Sequence, residues 1–458
     1  MMELLIPLDS RSKKPLYEQI YSHICAEIRS GALKAGDRLP STRVLAEHLK
    51  VSRSTTQMAY DQLLAEGYME ARPCRGYFVS HLEELVETGS SGTLEMETTS
   101  EPDAGWRVDF SPRGIDLDSF PYHVWRKLSR NTLVDDNKEM FHSGNHQGEP
   151  GLREAIRSYL HSARGVNCSP EQIIVGAGSE YLLMLLSQIL EGKHVIAMEN
   201  PTYKQAYRVF QSLGYEVCPV EMDANGMEPE LLAKSGANAA YVMPSHQFPT
   251  GIVMPVGRRQ ELLKWAVETP DRYIIEDDYD SEFRYRGKPI PALQGMDRSG
   301  RVIYLGTFSK CIAPAIRVSY LVLPMQLLAR YRSQTSFYAS TVSRIDQNIL
   351  YQFLSGGYFE RHLNRMRAIY KTKHDLLMEQ IEPLRERFEI RGEYAGIHIL
   401  LTSQKGESEE ELIQKAAEAG VKVYGLSSYF IHPEHDHRPA TVVLGYASLS
   451  EAQIMEGV

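Results

Sequence analysis

A lysine that follows two hydroxyl residues is the most chemically suggestive feature of this 458-residue sequence. Lys310 comes after Thr307 and Ser309, just past a predicted strand, and Arg317 follows seven positions later. A pyridoxal-phosphate site needs an amine that forms an imine with the cofactor, together with hydroxyls, free amides and a cation that hold its phosphate. These four residues therefore predict a pyridoxal-phosphate site around Lys310.

Two further segments carry residues that suit the same cofactor. Gly178 and Ser179 lie in a glycine-rich turn between a predicted strand and a helix, where backbone amides and a hydroxyl would cradle the phosphate. Asp277 ends an apolar run and would pair with the protonated ring nitrogen, while Tyr279 would bond the ring hydroxyl and Tyr203 would stack on the ring. Each motif is common on its own, so their order along alternating strands and helices carries the prediction.

A second group of residues, near the N-terminus, suits DNA. Ser52, Arg53, Ser54 and Thr55 begin a predicted helix, and Arg43 lies on the helix before it. At the tip of a helix in the major groove, an arginine can bond guanine through two donors, and hydroxyls suit phosphates. Taken alone, these residues are more typical of a capped helix start in solvent. The surrounding elements favour DNA.

Those elements follow the order of a winged helix-turn-helix. An apolar residue at every fourth position predicts a first helix that stops at Gly31, and Ser41 and Ser52 cap the two helices that follow. Residues 68–80 predict a β-hairpin, or wing, whose tip would reach the minor groove or the phosphates through Arg72, Arg75 and Gly76.

From residue 106 onward, apolar strands alternate with helices. Strands are predicted at residues 173–175, 194–198, 239–243, 273–275, 301–305 and 317–323, and helices at 181–190, 204–213 and 257–267. Continuous apolar strands between helices indicate an α/β domain with a mainly parallel sheet that is covered on both faces. Longer helices and isolated strands at 397–401 and 441–444 predict a smaller C-terminal α+β subdomain.

The charge distribution divides the chain into three parts. Residues 1–80 hold eleven Lys and Arg against nine Asp and Glu, in a chain whose formal net charge is -9, so the N-terminal part is the place for a DNA contact. Residues 82–105 hold seven acidic residues and no basic one, which predicts a flexible acidic linker. The expected domains are therefore 1–81, which binds DNA, and 106–458, which binds the cofactor.

Several classes of protein and site are excluded by composition. The five cysteines have no paired spacing, which argues against a disulfide framework and a thiolate metal site, and we expect no metal. The start of the chain lacks a signal peptide, and the longest strongly apolar stretch, residues 181–190, is about half of the roughly 20 residues that a membrane span needs. The protein is expected in the cytoplasm, without a membrane partner.

The two halves of the sequence resemble two known families. Residues 15–79 resemble the DNA-binding domain of GntR-family bacterial regulators, through Leu-Pro-Ser-Thr-Arg at residues 39–43 and Val-Ser-Arg-Ser-Thr at residues 51–55. Residues 106–458 resemble fold-type I aminotransferases of class I/II. The whole chain resembles the MocR/GabR subfamily of GntR regulators, through three more motifs at residues 148–153, 244–251 and 276–283. That resemblance implies a transcription regulator that forms a homodimer, head to tail.

The sequence departs from the resemblance at several positions. Phe248 stands where working aminotransferases have an asparagine, and the last strand lacks the arginine that binds the substrate carboxylate, with Arg438 the nearest candidate. Gln205 stands where members that respond to GABA are expected to have an arginine, which argues against that effector. Relatives are expected to continue past Val458, so the sequence is expected to be truncated there.

The sequence thus predicts a DNA-binding regulator that senses an amine or amino acid, or pyridoxal phosphate itself, through an aldimine at Lys310. The alternative is a competent aminotransferase with an accessory DNA-binding domain. The missing asparagine and arginine count against efficient turnover, because an unanchored carboxylate loses the orientation that the chemistry needs.

Overall fold

The computed structural model describes residues 6–9, 12, 14–73, 75–81, 105–133, 138–190, 195–285, 290–393, 395–432 and 438–458. The chain divides into two compact units, Met1–Glu101 and Pro102–Val458. The predicted linker, residues 82–105, lies outside the described residues except at its last position. Within the described ranges, no helix combines the length and the apolar character needed to cross a membrane.

The N-terminal unit is a winged helix-turn-helix, as predicted. Its elements in chain order are α1 (Leu16–Arg29), β1 (Arg38–Leu39), α2 (Thr42–Leu49), α3 (Arg53–Ala65), β2 (Met69–Arg72) and β3 (Gly76–Val79). The strands form an antiparallel sheet in the order β1-β3-β2. The short strand β1 was not among the predicted elements, because two residues carry no periodicity and become a strand only through pairing with β3.

Two capped helices position the helix that the sequence assigned to DNA. The Ser41 hydroxyl accepts a hydrogen bond from the Val44 amide at 3.3 Å, and the Ser52 hydroxyl accepts one from the Thr55 amide at 3.2 Å. Each such cap stabilises its helix by about 1 kcal/mol. The apolar stripe of α1 is buried against α3 in a core that contains Ile20, Ile24, Leu45, Ala59 and Leu63.

The second unit contains eleven described helices and fourteen described strands. The helices are α4 (Tyr122–Thr132), α5 (Pro150–Arg164), α6 (Ser179–Ile189), α7 (Lys204–Ser212), α8 (Pro229–Lys234), α9 (Val256–Glu268), α10 (Met325–Gln334), α11 (Arg344–Ser355), α12 (Tyr358–Ile381), α13 (Glu409–Glu418) and α14 (Glu451–Gly457). The strands are β4 (Val108–Asp109), β5 (Ile173–Gly176), β6 (Val195–Asn200), β7 (Glu216–Asp223), β8 (Gly226–Met227), β9 (Ala239–Val242), β10 (Tyr273–Asp278), β11 (Val302–Thr307), β12 (Ser319–Val322), β13 (Phe388–Arg391), β14 (His398–Ser403), β15 (Val421–Lys422), β16 (Tyr424–Gly425) and β17 (Thr441–Gly445).

An eight-stranded sheet in the order β5-β12-β11-β10-β9-β6-β7-β8 forms the centre of this unit. The run from β11 to β7 is parallel, whereas β12 is antiparallel to both of its neighbours and β8 closes a hairpin. The prediction of a mainly parallel sheet is confirmed. Strands β5, β9 and β10 are buried along their whole length, because helices cover both faces of the sheet.

A four-stranded antiparallel sheet, in the order β13-β14-β17-β16, forms the predicted C-terminal α+β subdomain with its helices. The carboxyl ends of β5, β10 and β11 and the start of β12 lie at one edge of the large sheet. In open α/β sheets, ligands bind in the crevice outside the carboxyl ends of the strands. The predicted cofactor residues follow these strand ends.

Candidate functional site

A cleft of about 280 Å³ lies at this edge of the sheet. It is lined by eight of the nine predicted cofactor residues, namely Ser179, Tyr203, Asp277, Tyr279, Thr307, Ser309, Lys310 and Arg317, together with Pro112, Arg113, Glu180, Gln205, Met243, Phe248 and Pro314. The ninth, Gly178, lies directly behind the guanidinium of Arg317. The fold therefore brings together side chains that are more than a hundred residues apart in the sequence.

Lys310 follows β11 and is half-buried in the cleft wall. Its Nζ donates hydrogen bonds to the backbone oxygens of Arg113, at 2.9 Å, and of Pro112, at 3.4 Å. The pKa of Lys310 is lowered to about 8, mainly by burial, while the negative charge of Asp280 opposes the shift and the positive charge of Arg113 adds to it. A lysine with a lowered pKa supplies a neutral amine near pH 7 more readily than an ordinary lysine does.

Asp277 is one of three consecutive buried acidic residues on β10, and it differs from the other two in its partners. Glu276 accepts hydrogen bonds from two backbone amides, and Asp278 forms an ion pair with Arg164 at 2.8 Å. Asp277 accepts a hydrogen bond from the Tyr241 hydroxyl, and no cation among the described residues pairs with it. Burial raises the pKa of Asp277 to about 7, because no cation in the described part of the chain stabilises the charged form. A cationic group of a ligand could therefore pair with this carboxylate.

Tyr279 is held by a buried histidine. Its hydroxyl lies 3.0 Å from Nδ1 of His246, and the same nitrogen lies 2.9 Å from the Asp280 carboxylate. Tyr203, at the start of α7, packs edge-to-face on Phe248, with the ring centroids 6.2 Å apart. Tyr203 and Tyr279 therefore both line the cleft and both pack against Phe248.

Hydroxyls, a glycine turn and a guanidinium meet at the other end of the cleft. Gly178 has φ +98°, and a Cβ at this position would lie 2.3 Å from a guanidinium nitrogen of Arg317. Arg317 itself is in the left-handed region at φ +53°, a conformation that costs a residue with a side chain about 1 kcal/mol or more. The Thr307 hydroxyl accepts hydrogen bonds from the Ser309 amide and from the Ser319 hydroxyl. The cluster suits an anion such as a phosphate.

Arg317 already has an anionic partner in this structure. Its Nη2 lies 2.9 Å from Oε2 of Glu180 and 3.3 Å from the backbone oxygen of Ala177. Glu180 is the second residue of α6, next to Ser179. The Glu180 carboxylate therefore pairs with the guanidinium that a phosphate would bind.

Sequence reasoning missed four residues of the site: Arg113, Glu180, Tyr241 and His246. His246 lies inside the motif at residues 244–251 and Glu180 directly follows the glycine-rich turn, so their positions beside the predicted residues were a usable signal. Arg113 and Tyr241 carried none, because their roles arise from contacts with residues distant in the sequence. Arg438, the nearest candidate for a carboxylate ligand, instead pairs with Glu221 and does not line the cleft.

The N-terminal unit places most of the predicted DNA residues on exposed positions. Arg43, Arg53 and Arg75 are exposed, and no ion pair is found for their side chains among the described residues. Arg72 is engaged with Glu70 at 2.6 Å and lies over the ring of Phe78.

The hydroxyls at the start of α3 are bonded to one another. Those of Ser54 and Thr55 lie 2.7 and 2.8 Å from that of Ser52, which caps the helix. Arg38 is a cation that the sequence did not single out, and its guanidinium lies beside the tip of the wing, within 3.6 Å of a Cβ built on Gly76. Its position depends on the pairing of β1 with β3.

The cleft fits pyridoxal phosphate on the chemistry of its groups. A lysine amine with a lowered pKa, a buried carboxylate without a cationic partner, and a guanidinium beside hydroxyls and a glycine turn are the three groups that the cofactor requires.

Comparison with known proteins bears on both units. Residues 16–79 match the family described as "Bacterial regulatory proteins, gntR family", and residues 116–457 match "Aminotransferase class I and II". The chain is 40% identical to the HTH-type transcriptional regulator YdeL of Bacillus subtilis, over 97% of this chain and 95% of that one. It is 34% identical to the probable rhizopine catabolism regulatory protein MocR of Rhizobium meliloti, over 99% and 94%.

Solved structures agree for the second unit. A multiple substrate aminotransferase from Thermococcus profundus matches with a TM-score of 0.69 and 26% identity, over 78% of this chain and 90% of that one. The predicted resemblance to MocR-type regulators is thereby confirmed. The chain belongs to the gntR family of bacterial regulatory proteins, as a DNA-binding transcription regulator whose aminotransferase class I and II domain takes pyridoxal phosphate as its cofactor.

Proposed function

We propose that this regulator senses a primary amine at Lys310. Pyridoxal phosphate supplies an aldehyde carbon that forms a carbon–nitrogen double bond with a primary amine and releases water, and one amine can replace another without an oxidant or reductant. The observation that carries the proposal is the lysine amine, which faces the cleft with a pKa lowered to about 8, in a chain that also carries a DNA-binding domain.

The other predicted residues take separate roles in this proposal. Arg317 and the hydroxyls of Ser179, Thr307 and Ser309 hold the phosphate, and Gly178 leaves the space that the Arg317 guanidinium takes. Asp277 pairs with the ring nitrogen, which the lack of a cationic partner at this carboxylate supports. Tyr279, held in place by His246, bonds the ring hydroxyl, and Tyr203 stacks on the ring.

A double-stranded DNA operator is the proposed target of the N-terminal domain. The residues proposed to contact it are Arg43, Ser52, Arg53, Ser54, Thr55, Arg72, Arg75 and Gly76. We place the domains at residues 1–81 and 106–458, with a linker between them, in a head-to-tail homodimer in the cytoplasm. A coupling of about 1–3 kcal/mol between the amine and DNA sites would change operator binding about five- to 150-fold.

The visible absorption spectrum of the purified protein supplied with pyridoxal phosphate tests the amine site. We expect a band from the lysine-bound cofactor that is absent in Lys310→Ala and kept in Lys371→Ala, an exposed lysine on α12. Addition of an effector amine should shift the band and change DNA binding in the same concentration range. A wild-type protein that binds the cofactor without this band would overturn the proposal.

The ion pair between Glu180 and Arg317 favours a second candidate, in which pyridoxal phosphate itself is the signal. A carboxylate that competes for the phosphate-binding guanidinium weakens cofactor binding, and weak binding lets occupancy follow the cofactor concentration. If DNA binding changes on addition of pyridoxal phosphate alone, with no further change on addition of amines, the second candidate replaces the first.

A further inference from the structure

Arg113 contacts the Lys310 amine through its backbone and lines the cleft with its side chain. Its backbone oxygen accepts the hydrogen bond from Nζ of Lys310 at 2.9 Å, and its exposed side chain lines the same cleft. An amine that takes the place of the Lys310 amine therefore lies within the reach of one arginine side chain.

The guanidinium of Arg113 has no hydrogen-bond or ion-pair partner among the described residues. By contrast, Arg317 is paired with Glu180 and Arg438 with Glu221. A guanidinium presents a rigid fork of donors that matches a carboxylate through two parallel hydrogen bonds. Among the described residues that line the cleft, Arg113 is thus the cation available for an anion other than the phosphate.

Apart from the cluster assigned to the phosphate, the described residues of the cleft wall offer no second anion site. Gln205 carries no charge, and Phe248, Met243 and Pro112 are apolar. Apolar walls favour the hydrocarbon part of a ligand and penalise an unpaired charge. The expected ligand therefore has an amine at one end, a short hydrocarbon spacer, and an anion at Arg113.

From these contacts we infer that Arg113 binds the carboxylate of the effector, so that the site selects amines that carry a carboxylate over plain alkylamines. The inference rests on the proposed function, because it assumes that the effector amine takes the place of the Lys310 amine. Arg113 would supply the carboxylate anchor that is absent from the last strand and from Gln205.

The experiment compares matched pairs of amines on the cofactor-loaded full-length protein. The visible band is titrated with 3-aminopropanoate against n-propylamine and with 4-aminobutanoate against n-butylamine. In the wild type, we expect the better carboxylate to bind about ten- to a hundredfold more tightly than its matched alkylamine, since a hydrogen-bonded charge pair is worth that much.

Arg113→Gln should remove this preference and leave the affinity for the alkylamines within about twofold. Arg113→Lys should keep part of it, because a lysine keeps the charge and loses the fork. Arg126→Gln, an exposed arginine on α4 outside the cleft, is the matched control and should behave as the wild type.

Two results overturn the inference, and they differ from each other. If Arg113→Gln keeps the visible band and the full carboxylate preference, or if the wild type shows no preference, the inference is wrong and the amine-sensing function stands. If the wild type forms no visible band at all, the proposed function fails and the inference fails with it. An upward shift of the Lys310 titration in Arg113→Gln would show independently that the two side chains are close.

Discussion

The guanidinium of Arg317 lies 2.9 Å from the carboxylate of Glu180, at the end of the cleft where a phosphate would bind. Arg317 lies just before β12 and its side chain is 54% exposed, and Glu180 lies at the start of α6 and its side chain is 33% exposed. An ion pair of this exposure contributes about 0–1 kcal/mol, so a phosphate dianion can displace the carboxylate at modest cost. We therefore expect Glu180 to limit the affinity for the cofactor without preventing its binding.

Glu180→Gln should tighten the binding of pyridoxal phosphate about two- to fivefold, because Arg317 is released and a negative charge beside the phosphate is removed. Equilibrium titration of the cofactor-free protein, followed by absorbance, measures the change in Kd. Glu410→Gln, an exposed glutamate on α13, is the control and should leave the Kd unchanged. An unaltered Kd in Glu180→Gln would show that the ion pair does not compete with the phosphate.

Attachment of the cofactor should depend on pH through Lys310. The neutral amine reacts, and its pKa is lowered by burial to about 8, so the neutral fraction rises as pH increases through that value. At pH 7, about a tenth of the molecules carry the neutral amine, against fewer than one in a thousand for an ordinary lysine. The rate at which the visible band appears should rise up to about pH 8 and then level off. A rate that keeps rising to pH 10 would contradict the lowered pKa.

Asp277→Asn should have opposite effects on the cofactor-free protein and on cofactor binding. In the folded protein, burial raises the pKa of Asp277 to about 7. The unfolded chain releases this proton near pH 4, so the free energy of unfolding decreases as pH rises from about 4 to 7. The amide removes this penalty and still accepts the hydrogen bond from Tyr241.

Tm of the cofactor-free variant should therefore exceed that of the wild type above pH 7 by a few degrees, and the two should converge near pH 4. Binding of pyridoxal phosphate should weaken at least tenfold, because the ring nitrogen loses its anionic partner. Scanning calorimetry and cofactor titration measure the two effects. A variant that is less stable than the wild type above pH 7 would contradict the assignment of a buried, unpaired carboxylate.

The arginines of the N-terminal unit should separate into two functional classes. Arg53→Ala, at the start of α3, should weaken binding to a selected operator by about 1–3 kcal/mol and reduce discrimination between sequences. Arg75→Ala should weaken binding to all duplexes similarly and reduce the slope of log K against log salt by about one.

Arg72→Ala should have a smaller effect than Arg75→Ala, since Arg72 is engaged with Glu70 and Phe78. Fluorescence anisotropy on a duplex selected from a random pool, repeated at several salt concentrations, distinguishes the classes. Equal losses for Arg53→Ala on selected and unselected duplexes would remove Arg53 from base recognition.

Local patterns were sufficient for much of this protein. Helix α1 was predicted from an apolar residue at every fourth position, α2 and α3 from the serines that cap them, and β5, β10 and β11 from their apolar runs. These signals depend only on residues close together in the sequence. The order of Gly178, Asp277 and Lys310 along alternating strands and helices predicted one cofactor site, and parallel strands that end on the same side of the sheet bring the three together.

Only the tertiary structure decided which partner each site residue has. Whether Asp277 or its neighbours would remain without a cation depended on Arg164, which reaches Asp278 from α5. The contact of Lys310 with Arg113 spans 197 residues of sequence, and that of Arg317 with Glu180 spans 137. Such contacts depend on strand order and on the course of distant loops, which leave no periodic trace in the chain. The sequence by itself determined the elements and the chemical types at the site, and the packing of those elements determined which charges are paired.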